Sequence, residues 1–284
     1  MIKWTRNYIL SIQAEGGWLD ITMPYTMSFS IVRNTMAQAN TGRFTILNLA
    51  EDTRRRIYKD KYRTNVYKGI ELRAGYGDTK ETLPLIFKGN IMQAYSQRNG
   101  VNYETSIEAY DGGFAYVNAN TARAFADGTP DKQILESLIQ DLPHVVKGKI
   151  GEYVDKLPKG NTMNGPTAEL IKNISKSNFF IDNEKAYCLQ DNECIKGSIQ
   201  KITSDTGLMG SPLREEALLT FTIMFEPRLQ VGQYLQLESQ TEKLFNGEYK
   251  VLGIEHQGVI SDAQSGRCIT KASLYYGAGG LKIL

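Results

Sequence analysis

The sequence predicts a mainly β protein: two antiparallel β units, barrel or sandwich in form, flanking a small α+β unit. Three observations predict it. Apolar and polar residues alternate through Phe44–Gly113, through much of residues 1–43, and again from Ser198 onward. Clusters of Gly, Asn and Asp bound those runs, as they do between antiparallel strands with one buried face. The stretch between carries two helical stripes instead. The boundaries expected are 1–113, 114–198 and 199–284.

In chain order, Tyr8, Leu10 and Ile12 alternate, Glu15-Gly16-Gly17 turns, and Trp18–Ile21 returns, which reads as a hairpin. Met27, Phe29 and Ile31 start another strand, followed by a polar loop over 34–42. Phe44, Ile46, Leu47 and Leu49 form the next. Glu51-Asp52 precede Arg54-Arg55-Arg56, the charge order a helix dipole favours, so 51–59 is a short surface helix. Ile70, Leu72 and Ala74 share one parity, and Gly75-Tyr76-Gly77-Asp78 turns the chain. Leu85, Phe87, Gly89, Ile91 and Gln93, then Tyr103, Thr105, Ile107 and Ala109, complete the meander.

After Gly113 the Ala- and Asn-rich residues 114–125 show no period. Thr129 is expected to cap a helix with Pro130 in its first position. Its stripe is Ile134, Leu135, Leu138 and Ile139. A second helix is expected from Asn164-Gly165-Pro166 to Ile174. Phe179–Ile181 and Ala186–Leu189, joined through Asp182-Asn183-Glu184-Lys185, read as a hairpin. Leu218–Phe225 is nearly continuous in apolar residues, which predicts a strand buried on both faces. Strands follow around Tyr234–Leu237, from Tyr249 through Ile254 after an Asn246-Gly247 turn, and over Cys268–Tyr276. Gly277–Gly280 reads as a flexible tail.

The formal charge is +2, distributed as +4 over 1–115 and −1 over each of 116–200 and 201–284. That excludes a strongly basic nucleic-acid binder. No apolar run approaches the about 18 residues of a membrane span, and Met1-Ile2-Lys3-Trp4 begins no signal peptide. Three cysteines, Cys188, Cys194 and Cys268, and two histidines, His144 and His256, are too few and too scattered for a structural zinc site. Free, reduced, buried thiols are expected.

The ordered series Phe44, Ile46, Asn48-Leu49, Ile70, Leu72, Ala74-Gly75-Tyr76-Gly77, Ile86-Phe87, Gly89, Ile91, Thr105, Ile107, Ala109, Asp111-Gly112 resembles the first β-domain of phage tail hub proteins. Gly207–Arg214, Glu226–Gly232, Asn246–Val251 and His256-Gln257-Gly258 resemble, in the same order, the second. These are the baseplate hubs of contractile tails and the related late control proteins. The resemblance implies two tail-tube-like domains and a structural role in the virion tail baseplate, assembled in the host cytoplasm. It implies a homotrimer that joins a six-fold tail tube protein to a three-fold spike or tip protein. Contacts with other baseplate proteins and the tape measure protein would follow, as would passage of DNA through the lumen. It implies that N-terminal strands join neighbouring subunits. The alternatives are a hub carrying a cell-wall-degrading activity and the hub of a phage-like contractile injection device.

No catalytic, cofactor-binding or metal-binding residue is assigned. Ala74-Gly75-Tyr76-Gly77 lies between strands and opens no phosphate-binding helix. No GxSxG elbow exists. Cys188 with His144 or His256 would make a thiol–imidazole pair, but Cys188 sits mid-strand, where an inert thiol is expected. Glu215-Glu216 are adjacent and point to opposite faces, unlike a glycosidase pair. Arg54-Arg55-Arg56 is a solvated helix face or a contact for an acidic partner. Trp4, Tyr8 and Trp18 are core or interface aromatics.

Overall fold

The period-2 runs become strands that hide their apolar parity, and the computed structural model describes residues 5–215, 218–263, 266–276 and 280–284. In the first unit β1 (Asn7–Ala14) turns through Gly16 and Gly17, both at positive φ, into β2 (Gly17–Thr22). β3 (Met27–Asn34) and β4 (Asn40–Leu47) form a second hairpin. α1 (Glu51–Ile57) has Glu51 and Asp52 in its first turn and Arg54–Arg56 in its last, and buries Ile57. Beyond it run β5 (Gly69–Gly75), β6 (Leu85–Asn99) and β7 (Asn102–Asp111). Tyr8, Leu10, Ile12, Phe29, Phe44 and Phe87 belong to one buried core here.

The middle segment contains α2 (Gly113–Asn118), β8 (Asn120–Phe125), α3 (Asp131–Ile139), β9 (Val146–Ile150), β10 (Asn161–Pro166) and α4 (Thr167–Ile174). β11 (Phe179–Asp182) and β12 (Lys185–Cys188) then form the expected hairpin. Its two turn residues, Asn183 and Glu184, both sit at positive φ, 52° and 56°, as a tight hairpin turn requires. A separate core packs Ile134, Leu135, Leu138 and Ile139 of α3 against Ile171, Phe179 and Ile181.

The last segment runs β13 (Glu193–Cys194), β14 (Lys201–Ile202), β15 (Leu208–Glu215), β16 (Leu218–Met224), β17 (Tyr234–Leu237), β18 (Gly247–Ile260), β19 (Cys268–Tyr275) and β20 (Lys282–Ile283). A third core gathers Phe221, Ile223, Leu229, Leu235, Val251, Ile254 and Leu274.

Three expectations need correction, and one unassigned stretch is filled in. Thr129 does not cap α3: the N-cap is Pro130, and the Thr129 hydroxyl donates to the Ala126 carbonyl. Asn164-Gly165-Pro166 are not helical but end β10, which pairs with β8, so the second helix starts at Thr167. Residues 114–125, without a period, fold as α2 and β8. β16 is buried on one face only: Leu219, Phe221 and Ile223 point inward, while Thr220 and Thr222 are half-buried and Met224 is exposed. Its threonines pass for β-branched core residues in sequence. Trp4, Glu216 and Gly277–Gly279 lie outside the described residues.

Among the described residues, one 13-stranded sheet links the first and last segments, in the order β15-β16-β19-β18-β3-β4-β7-β6-β5-β1-β2, with β17 also on β18. Within it a five-strand unit occurs twice. β3-β4-β7-β6-β5 and β15-β16-β19-β18-β17 have the same spatial order and the same chain order. Registers agree in detail. Phe44 opposes Ile107 and Phe221 opposes Ala272, one step along from Arg43–Glu108 and Thr220–Ser273. The long strand carries its bulge at the same place, Ile91/Gln93 in β6 and Val251/Gly253 in β18. The units differ beyond their fifth strand: β1 runs antiparallel to β5, β14 parallel to β17.

Candidate assembly interface

The seam where β3 pairs with β18 is the joint this chain builds within itself. Eight residue pairs form it, from Gly253–Asn34 to Ile260–Met27. Both strands bring one apolar parity: Met27, Phe29 and Ile31 on β3, Ile254 and Ile260 on β18. The sheet therefore continues from one unit to the other without an edge, and neither strand leaves backbone donors unpaired there.

Arg33 breaks that pattern. It holds the next inward position of β3, after Ile31, and is 1% exposed. A guanidinium there needs a partner because desolvating a lone charge is prohibitive. Asp182, at the end of β11, supplies it with a bidentate pair, Nε to Oδ1 at 2.7 Å and Nη2 to Oδ2 at 2.5 Å. Burial alone lowers the Arg33 pKa, and Asp182 reverses this and takes it above the ordinary value. Asn40 Nδ2 donates to the Ile181 carbonyl at 2.9 Å. Asp111, the last residue of β7, accepts from the backbone amides of Asn183 and Glu184 at 2.5 and 2.8 Å. Glu184 in turn accepts from the Tyr67 hydroxyl and pairs with Lys88 at 3.3 Å. Burial, followed by the charge of Asp182, pushes the Asp111 carboxyl up to about 8. Burial, reinforced by the Glu184 hydrogen bond, raises the Tyr67 phenol. The β11–β12 turn is thus plugged by charge into the first unit, immediately beside the seam.

His256, on β18, faces inward and is fully buried. Its Nδ1 lies 2.8 Å from the Thr270 hydroxyl, and its ring meets Phe225 edge-on. Burial, with Arg33 adding repulsion, lowers its pKa to about 3, so it stays neutral. Above the seam the opposite face of the sheet is open. A cleft of about 540 Å³ there is lined by Val32, Leu213, Thr220, Glu255 and Lys271 among others. The outward positions along this face carry Ser28, Ser30, Thr41, Thr45, Ser106, Thr222 and Ser273, with Arg43 and Glu108 paired at 3.4 Å.

The residues singled out from sequence go to separate places. Cys188 packs in the core of the middle segment, and burial raises its thiol pKa to about 12. Cys194 and Cys268 are also buried, each raised to about 11. His144 stacks on Tyr67 at 3.7 Å. Glu215 ends β15, an outer strand of the sheet. Tyr8 is core, whereas Trp18 is 52% exposed on β2. Arg54 lies 4.0 Å over the Tyr103 ring, and Arg55 pairs with Glu51 at 2.5 Å. Sequence reasoning missed Arg33, Asp111 and Asp182. The readable signal was an arginine at the inward parity of an apolar strand.

The strap between α1 and β5 covers part of the β6 edge. Lys59 exchanges two backbone hydrogen bonds with Ala94, both 3.0 Å. Its Nζ donates to the carbonyls of Val66 and Ile91 at 2.6 and 2.5 Å. Burial, then the nearby Lys68, lowers its pKa to about 8.

Comparison with known proteins places this architecture. A family model described as Baseplate hub gp41 matches residues 10–264. No curated protein matches at a significant level. A tail protein from Neisseria meningitidis MC58 superposes with a TM-score of 0.58 at 11% identity, covering 96% of this chain and 97% of that one. The 43 kDa tail protein of prophage MuSo2 from Shewanella oneidensis gives 0.60 at 9% identity, covering 94% and 96%. An E. coli component of the type VI secretion system, described as structurally similar to the T4 bacteriophage tail proteins gp27 and gp5, gives 0.56 at 7%, covering 94% and 77%. At such identities these likenesses speak to fold alone.

Proposed function

We infer that this chain, which belongs to the baseplate hub gp41 family, is a structural tail hub that acts as a trimer. Three copies would carry six five-strand units, enough to match a six-fold tail tube on one side and a three-fold spike or tip on the other. The observation that carries this reading is the repeated unit inside one continuous sheet. A chain that presents two equivalent surfaces can sit under a ring of six identical ones. The division at about 113 and 198 is part of the proposal; the three cores follow it in the main, although the first also takes in Phe225, Ile260 and Cys268 and the last Phe180 and Leu189.

The open face of the sheet would line the channel. Serine and threonine recur among its outward positions, Arg43 there is paired with Glu108, and the described residues form no basic stripe. A channel for DNA works best when it does not hold phosphates, because each neutralised phosphate adds affinity through counterion release. Contacts with the tape measure protein and other baseplate proteins, location in the virion tail after assembly in the host cytoplasm, and a non-enzymatic role complete the reading. The likeness to a type VI secretion component keeps the hub of an injection device as the second reading.

Imaging of the isolated tail tip tests the proposal. A three-fold ring with a central hole is expected, in which a rotation of about 60° brings one five-strand unit onto the other. Six copies per ring, or a solid disc, would overturn it. Turnover of peptidoglycan by the purified chain would overturn the non-enzymatic part.

A further inference from the structure

The internal repeat says which strands meet between copies. Within the chain, the bulged long strand of the second unit, β18, pairs its free half with the first strand of the first unit, β3. The counterpart of β18 is β6, and the counterpart of β3 is β15. Among the described residues β6 past Ala94 pairs only with β7, and β15 is the outer strand at one end of the sheet. In the chain's own sheet these two edges are separated by β16, β19, β18, β3, β4 and β7, so it is a second copy that can bring them together.

We propose that β15 of one copy adds to the free edge of β6 in a second copy, in the register of the internal seam. Leu213 faces Thr220 in β15–β16 as Ser30 faces Arg43 in β3–β4, so Leu213, Arg214 and Glu215 stand where Ser30, Ile31 and Val32 stand. Counting from the shared bulge, Tyr95, Ser96 and Gln97 stand where Glu255, His256 and Gln257 stand. The seam pairs Glu255–Val32, His256–Ile31 and Gln257–Ser30. Transferred, these become Tyr95–Glu215, Ser96–Arg214 and Gln97–Leu213. The pairing stops at Tyr95 because Lys59 already holds Ala94.

Exposure supports the match. Tyr95 (41%) and Val101 (89%) on the β6–β7 tip, and Met209 (38%) and Leu213 (60%) on β15, are large apolar side chains left in solvent. Joining the two strands covers both sets. The inference rests on the self-association put forward above and names its surface.

Cysteine cross-linking tests it. Thr35 N donates to the Leu252 carbonyl at 2.9 Å, which makes Ser30–Gln257 a non-hydrogen-bonded pair. Its counterpart, Gln97–Leu213, has the close Cβ spacing that a disulfide accepts. Both residues are exposed, so Gln97→Cys and Leu213→Cys leave the fold intact, and the native thiols are buried. The two variants, prepared separately, mixed and mildly oxidised, are expected to give a disulfide-linked dimer. Met209→Cys in place of Leu213→Cys is expected to lose it, which fixes the register. Linkage of Leu213→Cys to Trp18→Cys on β2, the other end of the sheet, would overturn the proposal. So would trimers by light scattering with no 97–213 link, while the trimeric reading stood. Monomers at every concentration and in the tail tip would overturn both.

Discussion

The two five-strand units share an order and a bulge, yet the long strand of each meets a different fate. In the second unit the projecting half of β18 pairs eight residues deep with β3. In the first, the matching half of β6 receives one bridge from Lys59 and, among the described residues, is otherwise open on that side. The first unit also carries α1 and the 58–68 strap, where the second has only the short stretch between β16 and β17. The difference teaches where rigidity was placed. The intrachain joint is complete and is reinforced by the charged β11–β12 plug. In the proposed assembly the edge left for a neighbour is short, so that contact would gain strength only when several are made at once around a ring.

The plug is the place to break this asymmetry. Arg33→Leu leaves Asp182 buried without its cation, and such losses cost about 3–5 kcal/mol. Chemical denaturation should show that drop. The double replacement Arg33→Leu with Asp182→Leu should recover most of it, since removing both charges removes the desolvation penalty. A single variant as stable as the parent would mean that the plug does not hold the seam.

Titration sharpens the same contrast. Asp111 has no acidic counterpart in the second unit, where the equivalent position is Tyr276. Its folded pKa of about 8 exceeds the ordinary 3.8. The folded state therefore keeps a proton that the unfolded chain has lost, and stability falls as pH rises between those values. His256 acts oppositely. Its pKa drops from 6.5 to about 3, so its contribution is full above 6.5 and is lost as pH falls toward 3. From pH 6.5 towards 8 only the Asp111 effect operates within this pair, and it lowers stability as pH rises. The melting temperature should fall across that window, and Asp111→Asn should flatten the slope. A rise would contradict the assignment.

How much of this was legible follows from range. The charge order of α1 and the Asp182–Lys185 turn are local signals, and both elements formed where they were expected. The β3–β18 seam joins residues more than two hundred positions apart, and no periodicity reports a pairing of that kind. The likeness of the two units, in contrast, has a local mark: Phe44-Thr45-Ile46-Leu47 and Phe221-Thr222-Ile223-Met224 are near copies at equivalent positions. Arg33 on an apolar parity was a second flag. β8 and β10 carry little apolar alternation, and their pairing is fixed by the core beneath them, which left 114–125 and 161–166 unreadable.

The strap gives a smaller effect. Lys59→Met keeps the stem but leaves the Val66 and Ile91 carbonyls without their donor. A loss of about 1 kcal/mol is expected. Hydrogen exchange should rise at Ala94 and not at Ile254, its counterpart in the complete seam. Equal exchange at both would mean that the strap does not cover the edge.

The smallest effect belongs to α1, which has no α-helical counterpart among the described residues of the second unit. Arg55 and Glu51 approach to 2.5 Å, the same distance as Arg33 and Asp182. Distance alone would rank the two pairs together, but solvent separates them. The Arg55 and Glu51 side chains are 77% and 66% exposed, against 1% and 7% for Arg33 and Asp182. Water screens the exposed pair and hydrates each charge when the partner is gone, so Arg55→Ala should change stability by roughly 0.5 kcal/mol or less. What holds α1 is Ile57, buried in the first core, and not the arginine run. A large loss from Arg55→Ala, approaching that of Arg33→Leu, would show that α1 is clamped by charge as the β11–β12 turn is. The asymmetry between the two units would then be electrostatic throughout, rather than confined to the plug beside the seam.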